Sequence, residues 1–498
     1  MNDRAGREFS SLAAREQYRD DYWIRRDPIY RDRLFWRAQS FRHMVHLLPG
    51  QTILELGAGR GLFTVALDRV VRGKNPITAV TLGTDRSVVG ELPTSVERIE
   101  VTSLPGELAG RHFDYVVVMD LLDYRNCSWF ARLIHELLAP GGEVLFYESN
   151  PWNVVLKLRR MISRWNARAD SRHLLNRVAL YELMSEVGFI RVFTVYNDFV
   201  YAPLSASLIW ILRNLSILLE NLPAIRTLSG SILIHAQKPP RAIKPVRSLF
   251  EHEQLRGAVS VVVPCHNEET NVEPLVRGLD AYYCEYLHEI ILVDDNSTDD
   301  TAAVIRRLSA ENPKVKGVFR RPPNGVGRAI ADGYQAATGR YVLSMDCDFQ
   351  HLLPEFQDLF DRAAMDFDVV IGSRFSRHSV LLNYPFRKIV ANRGFHILAQ
   401  ILLRRRFRDV TNNLKLMRKE VVDRLDLQEP GFAVNAETGL QPYLMGCSVA
   451  EVPISWINRE LGMGSSSFQL AKVGGGYWRV LWRLSVRGVG AAPSRTAK

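Results

Sequence analysis

The apolar positions of this chain gather into short runs, and segments of helical period lie between most of them. In the first half the runs fall at 52–56, 77–80, 96–101, 113–119, 142–147, 191–195 and 231–235. In the second half they fall at 260–264, 289–293, 341–345 and 369–374. Runs of this length, bounded by polar clusters, predict buried strands. Strands alternating with helices predict parallel, doubly wound sheets, so the fold class is α/β with two domains. Leu137-Leu-Ala-Pro-Gly-Gly142 marks a helix stop ahead of one strand. The pattern lapses over 238–257, where Lys238-Pro-Pro-Arg-Ala-Ile-Lys-Pro245 combines proline and charge without periodicity. That composition predicts a linker. The expected organisation is a helical lead-in over 1–45, a domain over 46–237, the linker, a second domain over 258–480 and a tail over 481–498. The lead-in is rich in Arg, Asp and aromatics, including Arg19, Tyr22, Trp23, Arg33 and Trp36. It reads either as a cover over a later site or as a packing helix.

Two stretches carry apolar stripes at helical spacing. Over 151–168 the stripe is Val154, Val155, Leu158, Met161, Ile162 and Trp165, opposite Lys157, Arg160, Arg164 and Arg168. Over 204–222 it runs from Leu204 through Leu208, Ile211 and Leu215 to Leu222. Such stripes suit packing on a sheet; the basic one also suits an anionic membrane interface. No apolar run is long enough to span a bilayer, and the first residues lack the apolar core of a signal peptide. The net charge of +10 favours acidic partners. Basic residues are dispersed and form no recognised DNA-binding motif, so no nucleic-acid partner is expected. Five cysteines without paired spacing argue for a reducing compartment and against zinc. The expectation is a cytoplasmic protein held peripherally at the inner face of a membrane.

Candidate chemistry sits at two of the predicted strand ends. The first is Glu55-Leu-Gly57-Ala-Gly59-Arg-Gly61, between a strand and a helix. Glycines there allow a tight turn and close approach to a ligand. With the later strand–helix–"Leu-x-Pro-Gly-Gly"–strand passage, these residues resemble class I S-adenosylmethionine-dependent methyltransferases over about 40–240. The resemblance implies a Rossmann-like fold and a cofactor site that includes Glu55, Gly57, Gly59, Gly61 and Asp85. The pattern is incomplete. Thr81 stands where the family's ribose-binding acid belongs, Asp85 is the nearest acid, and Thr102-Ser103 replaces the acid after the third strand. Asp120 and Asp123, after the fourth strand, line the place where substrate would sit.

The second site is Tyr341-Val-Leu-Ser-Met-Asp-Cys-Asp-Phe-Gln-His351. Asp346 and Asp348 end a buried run one residue apart and can face one hard cation; Gln350 offers a further oxygen. Oxygen donors suit Mg²⁺ or Mn²⁺, especially beside a diphosphate. Around this stretch lie Pro264-Cys-His-Asn-Glu268, Asp294-Asp-Asn-Ser-Thr-Asp-Asp-Thr301, Gln350-His351 before Pro354-Glu355, and Gly372-Ser-Arg374. Over about 258–475 these motifs resemble family 2 glycosyltransferases with the GT-A fold, in particular the dolichol- and polyprenyl-phosphate mannosyltransferase branch.

That resemblance implies roles by position. Pro264, Asn267, Glu268 and Asp295 bind the nucleotide, with Asp346 beside the diphosphate. Asp346, Asp348 and Gln350 hold the metal. Arg374, Arg387 and Arg459 are catalytic cations for a phosphate acceptor, and Glu437 is the acid of the acceptor segment. Three departures touch acceptor and sugar: Thr411-Asn-Asn-Leu414 replaces Thr-Ser-Gly-Phe, Asn435-Ala-Glu-Thr438 keeps a single acid, and a lysine common in the family's last loop is absent from Gly464 to Phe468.

The expected reaction is inverting transfer of a hexose, mannose or glucose, from GDP- or UDP-hexose to a polyprenyl phosphate at the membrane surface. A phosphate acceptor is already anionic and needs no strong general base; guanidinium groups suit it. For the first domain two alternatives stand. One is an active S-adenosylmethionine-dependent methyltransferase on a sugar or lipid-linked product. The other is a non-catalytic docking module for membrane or partner.

Overall fold

A computed structural model describes the chain except residues 1, 26–28, 84–91, 155–156, 159–172, 200–214, 223, 241–247, 349–352, 377–378, 383, 458–469 and 488–498. The chain divides into two compact units, Met1–Lys244 and Pro245–Lys498.

Unit 1 opens with helices α1 (Asn2–Ile24) and α2 (Ile29–Met44). Its sheet comprises β1 (Ile53–Leu56), β2 (Ile77–Leu82), β3 (Val96–Val101), β4 (Phe113–Met119), β5 (Leu138–Ser149), β6 (Ile190–Asn197) and β7 (Ser231–Gln237). They lie in the order β3-β2-β1-β4-β5-β7-β6. The first five run parallel, and β7 is antiparallel to both β5 and β6. β1, β2 and most of β4 are buried on both faces, which is why they read as continuous apolar runs. After β1 the glycine loop turns into α3 (Leu62–Val71), whose N-cap Gly61 has φ 79°. α4 (Cys127–Leu137) stops at Leu137 as the sequence predicts. The next strand starts earlier than expected, at Leu138, because Pro140-Gly-Gly142 forms an irregularity within β5 instead of a loop before it.

Unit 2 is built on β8 (Val259–Cys265), β9 (Leu287–Asp294), β10 (Val315–Phe319), β11 (Tyr341–Ser344), β12 (Val369–Ser373), β14 (Lys415–Arg418) and β15 (Val449–Pro453). A separate two-stranded ribbon joins β13 (Val380–Leu382) to β16 (Ser455–Ile457). The large sheet has the order β10-β9-β8-β11-β14-β12-β15, with β14 antiparallel to its neighbours. Apolar layers cover both faces: Leu275, Leu279, Tyr283 and Phe360 in one, Ile330, Tyr334, Val421 and Val434 in the other.

Three expected boundaries shift. Leu249 and Leu255 are buried in the core of unit 2, so the end of the expected linker 238–257 belongs to that unit. On the other side, Lys238 Nζ donates to the Leu138 carbonyl at 2.7 Å and belongs to unit 1. The helix Leu470–Arg487 carries buried Leu481 and Leu484, so the tail expected from 481 is helical and packed through this stretch. Most of 151–168 and 204–222 lies outside the described residues. Among the described residues, no helix is long and apolar enough to cross a membrane.

Candidate active site

In each sheet the strand order reverses between two parallel neighbours, β1 and β4 in unit 1 and β8 and β11 in unit 2. Ligands of open α/β sheets bind at the carboxyl ends of strands beside such a reversal.

In unit 2 the loops after β8, β9 and β11 therefore adjoin. The first two are stitched together: Asn267 Oδ1 accepts from the Thr298 amide at 2.8 Å, and the Glu268 amide donates to Thr301 Oγ1 at 2.8 Å. Asn267 and Asn296 have φ of 58° and 56°, a left-handed conformation that asparagine tolerates better than most residues. Pro264, near the end of β8, is partly exposed on the same rim. Asp295 is buried and doubly held. It accepts from the Gly325 amide at 2.6 Å and pairs with Arg320, which also reaches Asp332 at 2.6 Å.

Asp346 and Asp348 follow β11. Asp346 Oδ1 accepts from Asn413 Nδ2 at 2.7 Å, and Ser344 Oγ donates to the Asn413 Oδ1 at 2.7 Å. That relay fixes which end of the Asn413 amide meets the carboxylate. Burial, reinforced by the neighbouring charge of Asp348, pushes the Asp346 carboxyl up to about 7. A bound divalent cation would relieve that unfavourable charge, so the donor set fits Mg²⁺ or Mn²⁺. Gln350, the third expected ligand, lies outside the described residues.

The expected arginines divide. The Arg374 guanidinium is buried in a two-pronged pair with Asp409 (Nε to Oδ2 2.7 Å, Nη2 to Oδ1 2.9 Å) and also meets Thr411 and Tyr384. Burial alone would raise Asp409, but the Arg374 cation overrides it and holds the carboxyl below the usual range. Arg374 thus ties β12 to the segment before β14. Arg387 is exposed in the first turn of the helix Phe386–Leu403 and has no ion-pair partner among the described residues. Arg459 lies outside the described residues.

Glu437 is fully buried on the helix Val434–Leu444. It accepts from the Gln428 and Glu429 amides at 3.0 and 3.1 Å and pairs with Arg483. The segment it fixes carries the Pro430 carbonyl, which accepts from the Gly327 amide at 2.9 Å beside the Gly325 turn that holds Asp295. Glu437 acts here as an anchor. Sequence reasoning missed Asn413, Asp409 and Lys415. Lys415 is fully buried in β14, where its Nζ donates to the Asn412 and Asn435 carbonyls, and burial lowers its ammonium to about 7. A lysine inside the apolar stretch Leu414-Lys-Leu-Met417 was the available signal.

In unit 1 the glycine loop is engaged by the chain itself. The Gly59 amide donates to Glu16 at 2.9 Å, the Arg60 amide to Asp20 at 2.7 Å, and the Gly57 carbonyl accepts from Arg19 at 2.7 Å. Glu55, at the buried base of the loop, accepts from Thr64 Oγ1 at 2.7 Å, and burial pushes its carboxyl up to about 7. Asp85 lies outside the described residues. Asp123 pairs with Arg15 at 3.1 Å, and Asp120 accepts from Ser149 Oγ at 2.7 Å.

Comparison with known proteins agrees with both units. The glycosyl transferase family 2 pattern matches residues 260–426, and a methyltransferase-domain pattern matches 30–192. A polyprenol monophosphomannose synthase from Mycolicibacterium smegmatis is 30% identical over 240 residues, spanning 46% of this chain and 90% of that protein. A dolichol-phosphate mannosyltransferase from Pyrococcus furiosus is 31% identical over 206 residues, spanning 41% of this chain and 58% of that protein. Among solved structures, glucosyl-3-phosphoglycerate synthase from Mycobacterium tuberculosis superposes with a TM-score of 0.37 at 18% identity, over 50% of this chain and 89% of that one. That likeness is too loose to carry an argument. The alignment at 30% identity over nine-tenths of the Mycolicibacterium smegmatis polyprenol monophosphomannose synthase does carry one, and the chain belongs to the family 2 glycosyltransferases, with a methyltransferase domain ahead of the transferase.

Proposed function

We propose that the protein transfers a hexose from a nucleotide sugar, GDP-mannose or a UDP-hexose, to a polyprenyl phosphate, with inversion at the anomeric carbon. The observation that carries this reading is the Asp346–Asp348 pair at the switch point of the unit 2 sheet, beside the Asn267–Glu268 and Asp295 loops. The names of the two mannosyltransferase relatives support the lipid acceptor and mannose.

Asp346 and Asp348 would hold Mg²⁺ or Mn²⁺, which spreads the negative charge that develops on the leaving nucleoside diphosphate. Pro264, Asn267, Glu268 and Asp295 form the nucleotide end. Asp295 works through the geometry that it and Arg320 impose on the Gly325 turn. Arg387 is the described cation available to an incoming lipid phosphate, and Arg459 is proposed as its partner. Arg374 keeps the floor of the site in place through Asp409. Its cation is also felt at Asp346, where it opposes the upward shift.

Contact with the membrane is supported by an apolar face on unit 2. The helix Phe386–Leu403 exposes Val390, Ile397, Leu398, Ile401 and Leu402; the helix Leu470–Arg487 exposes Trp478, Trp482 and Val486. The two helices share one core cluster through Ala399, Val480, Leu481 and Leu484. Exposed Arg387, Arg404, Arg405 and Arg406 flank the first helix. An apolar face with tryptophans and an arginine rim suits an anionic interface, and it would bring Arg387 near the headgroups.

The test is transfer of labelled mannose or glucose from GDP-mannose and UDP-glucose to polyprenyl phosphate with Mg²⁺ or Mn²⁺. Label entering the organic phase from one donor, and lost in Asp348→Ala, is the expected result. A well-folded chain that transfers from no common donor overturns the lipid acceptor.

A further inference from the structure

α1 lies outside the residues that match the methyltransferase domain, yet it supplies the polar partners of that domain's crevice. Glu16, Arg19 and Asp20 stand at helical spacing i, i+3 and i+4, so they share one face. All three are buried, at 0%, 6% and 2% exposure. Glu16 accepts from the Gly59 amide and from the Leu82 amide at the end of β2, at 2.9 and 3.1 Å. Arg19 donates to the Met119 carbonyl at the end of β4 and to the Gly57 carbonyl after β1, at 2.9 and 2.7 Å. Asp20 accepts from the Arg60 amide ahead of α3 at 2.7 Å and pairs with Arg19 at 2.8 Å. One helix face therefore bonds to the ends of three adjacent strands.

Amides at the start of a helix form a ready anion site. Here Glu16 and Asp20 already supply the anions, so a cofactor carboxylate would have to displace them. Space is also taken: a Cβ at Gly59 would lie 1.9 Å from Asp20 Oδ2. Thr81, which stands where the ribose acid belongs, turns inward and donates to the Gly59 carbonyl at 3.0 Å. Towards the substrate side, Arg15 pairs with Asp123 at 3.1 Å, and Arg37 stands 3.5 Å from Asp120. S-adenosylmethionine does not fit among these residues.

We propose that α1 is the resident ligand of the unit 1 crevice, and that the methyltransferase domain of this chain takes up no S-adenosylmethionine. The glycines are then kept by the helix that packs on them. The domain serves the chain as a folded module and performs no methyl transfer.

Two measurements on the full chain decide this. Equilibrium dialysis against labelled S-adenosylmethionine at up to about 1 mM should show no saturable retention; saturable binding in the micromolar range overturns the proposal. Hydrogen exchange should find the amides of Gly59, Arg60 and Leu82 as slow as those of the central strands; unprotected rates there overturn it. In a Glu16→Ala, Asp20→Ala variant, which removes both acceptors, these amides should exchange about ten- to hundredfold faster, while β8 and β11 amides keep their rates. Unchanged exchange at the glycine loop would make the contacts incidental and overturn the ligand role. Should the variant not fold, the two wild-type measurements still decide.

Discussion

The two units carry the same kind of crevice at the same kind of topological position, and they differ in what faces it. In unit 1 a neutral glycine loop meets Glu16, Arg19 and Asp20 from its own chain, two carboxylates that accept from its amides and a guanidinium that donates to a carbonyl of the loop. In unit 2 Asp346 and Asp348 lie side by side, with Asn413 as a neutral partner of one. Each crevice holds a carboxyl pushed up to about 7, the buried Glu55 in one and the half-buried Asp346 in the other, with desolvation the largest cause in each. The second cause differs. At Asp346 it is a second carboxylate, which adds to the shift; at Glu55 it is the Thr64 hydroxyl, which opposes it. A carboxyl raised by a second carboxylate marks the crevice whose charge a divalent cation would relieve.

The hardest blow to this comparison would come from Arg374. If its cation serves the substrate directly, unit 2 is less open to an external cation than it looks. Asp409→Asn removes the charged partner of a buried guanidinium, and breaking such a pair costs about 3–5 kcal/mol. The urea transition of unit 2 should shift accordingly. A variant that keeps its stability but loses transfer would return Arg374 to the substrate.

Next in size is Asp348→Ala. Removing a group that stabilises transition-state charge costs about 10²–10³-fold in rate, read as kcat for hexose transfer. Because the proposed role is to hold a divalent cation, excess Mn²⁺ should recover part of the loss by mass action. A variant within a few-fold of wild type would place the cation elsewhere.

These two variants also separate what the sequence disclosed from what it hid. Buried parallel strands are apolar throughout, so β1, β4, β8 and β11 are visible as runs, and the carboxyl ends they lead to are visible with them. Asp346, Asp348 and Asp295 were legible for that reason. The Arg374–Asp409 pair spans 35 residues, and the Glu16–Gly59 contact spans 43. No periodicity encodes which charge meets which across such distances. Sequence spacing therefore suggested a phosphate-binding arginine and a cofactor loop, where tertiary packing supplies partners from within the chain. The apolar face of the helices Phe386–Leu403 and Leu470–Arg487 was hidden for a related reason. In the second, Trp478 and Trp482 become an exposed face only once its inner side, with Leu481 and Leu484, has packed.

A smaller effect tests the closed side of the comparison. Gly59 and Gly73 both have positive φ, 54° and 67°, so alanine strains the backbone at either. Only at Gly59 would the new methyl group meet α1; at Gly73 nothing lies within 4 Å. Gly73→Ala should cost about 1 kcal/mol. Gly59→Ala should cost a further 1–3 kcal/mol or so from overpacking. Equal losses in the unfolding of unit 1 would mean that Asp20 yields readily, and the helix would then be a loose cover.

Finest of all is the pH dependence of Glu55. Its carboxyl titrates near 4.5 in an unfolded chain and is raised to about 7 in the fold. The folded state therefore binds the extra proton between those values. Its contribution to stability is present below about pH 4.5 and is lost as pH rises through about 7. Unit 1 should accordingly weaken across that window by about 1–2 kcal/mol. Hydrogen exchange of β1 and α3 amides reads this unit without interference from Asp346 in the other. A Glu55→Gln variant carries no proton to lose, so its protection factors, corrected for the intrinsic pH dependence of exchange, should be flat over the same window. Thr64 can still donate to the side-chain amide oxygen in that variant, which keeps the packing comparison fair. If wild type and variant instead weaken in parallel, the proton is held by a group other than Glu55.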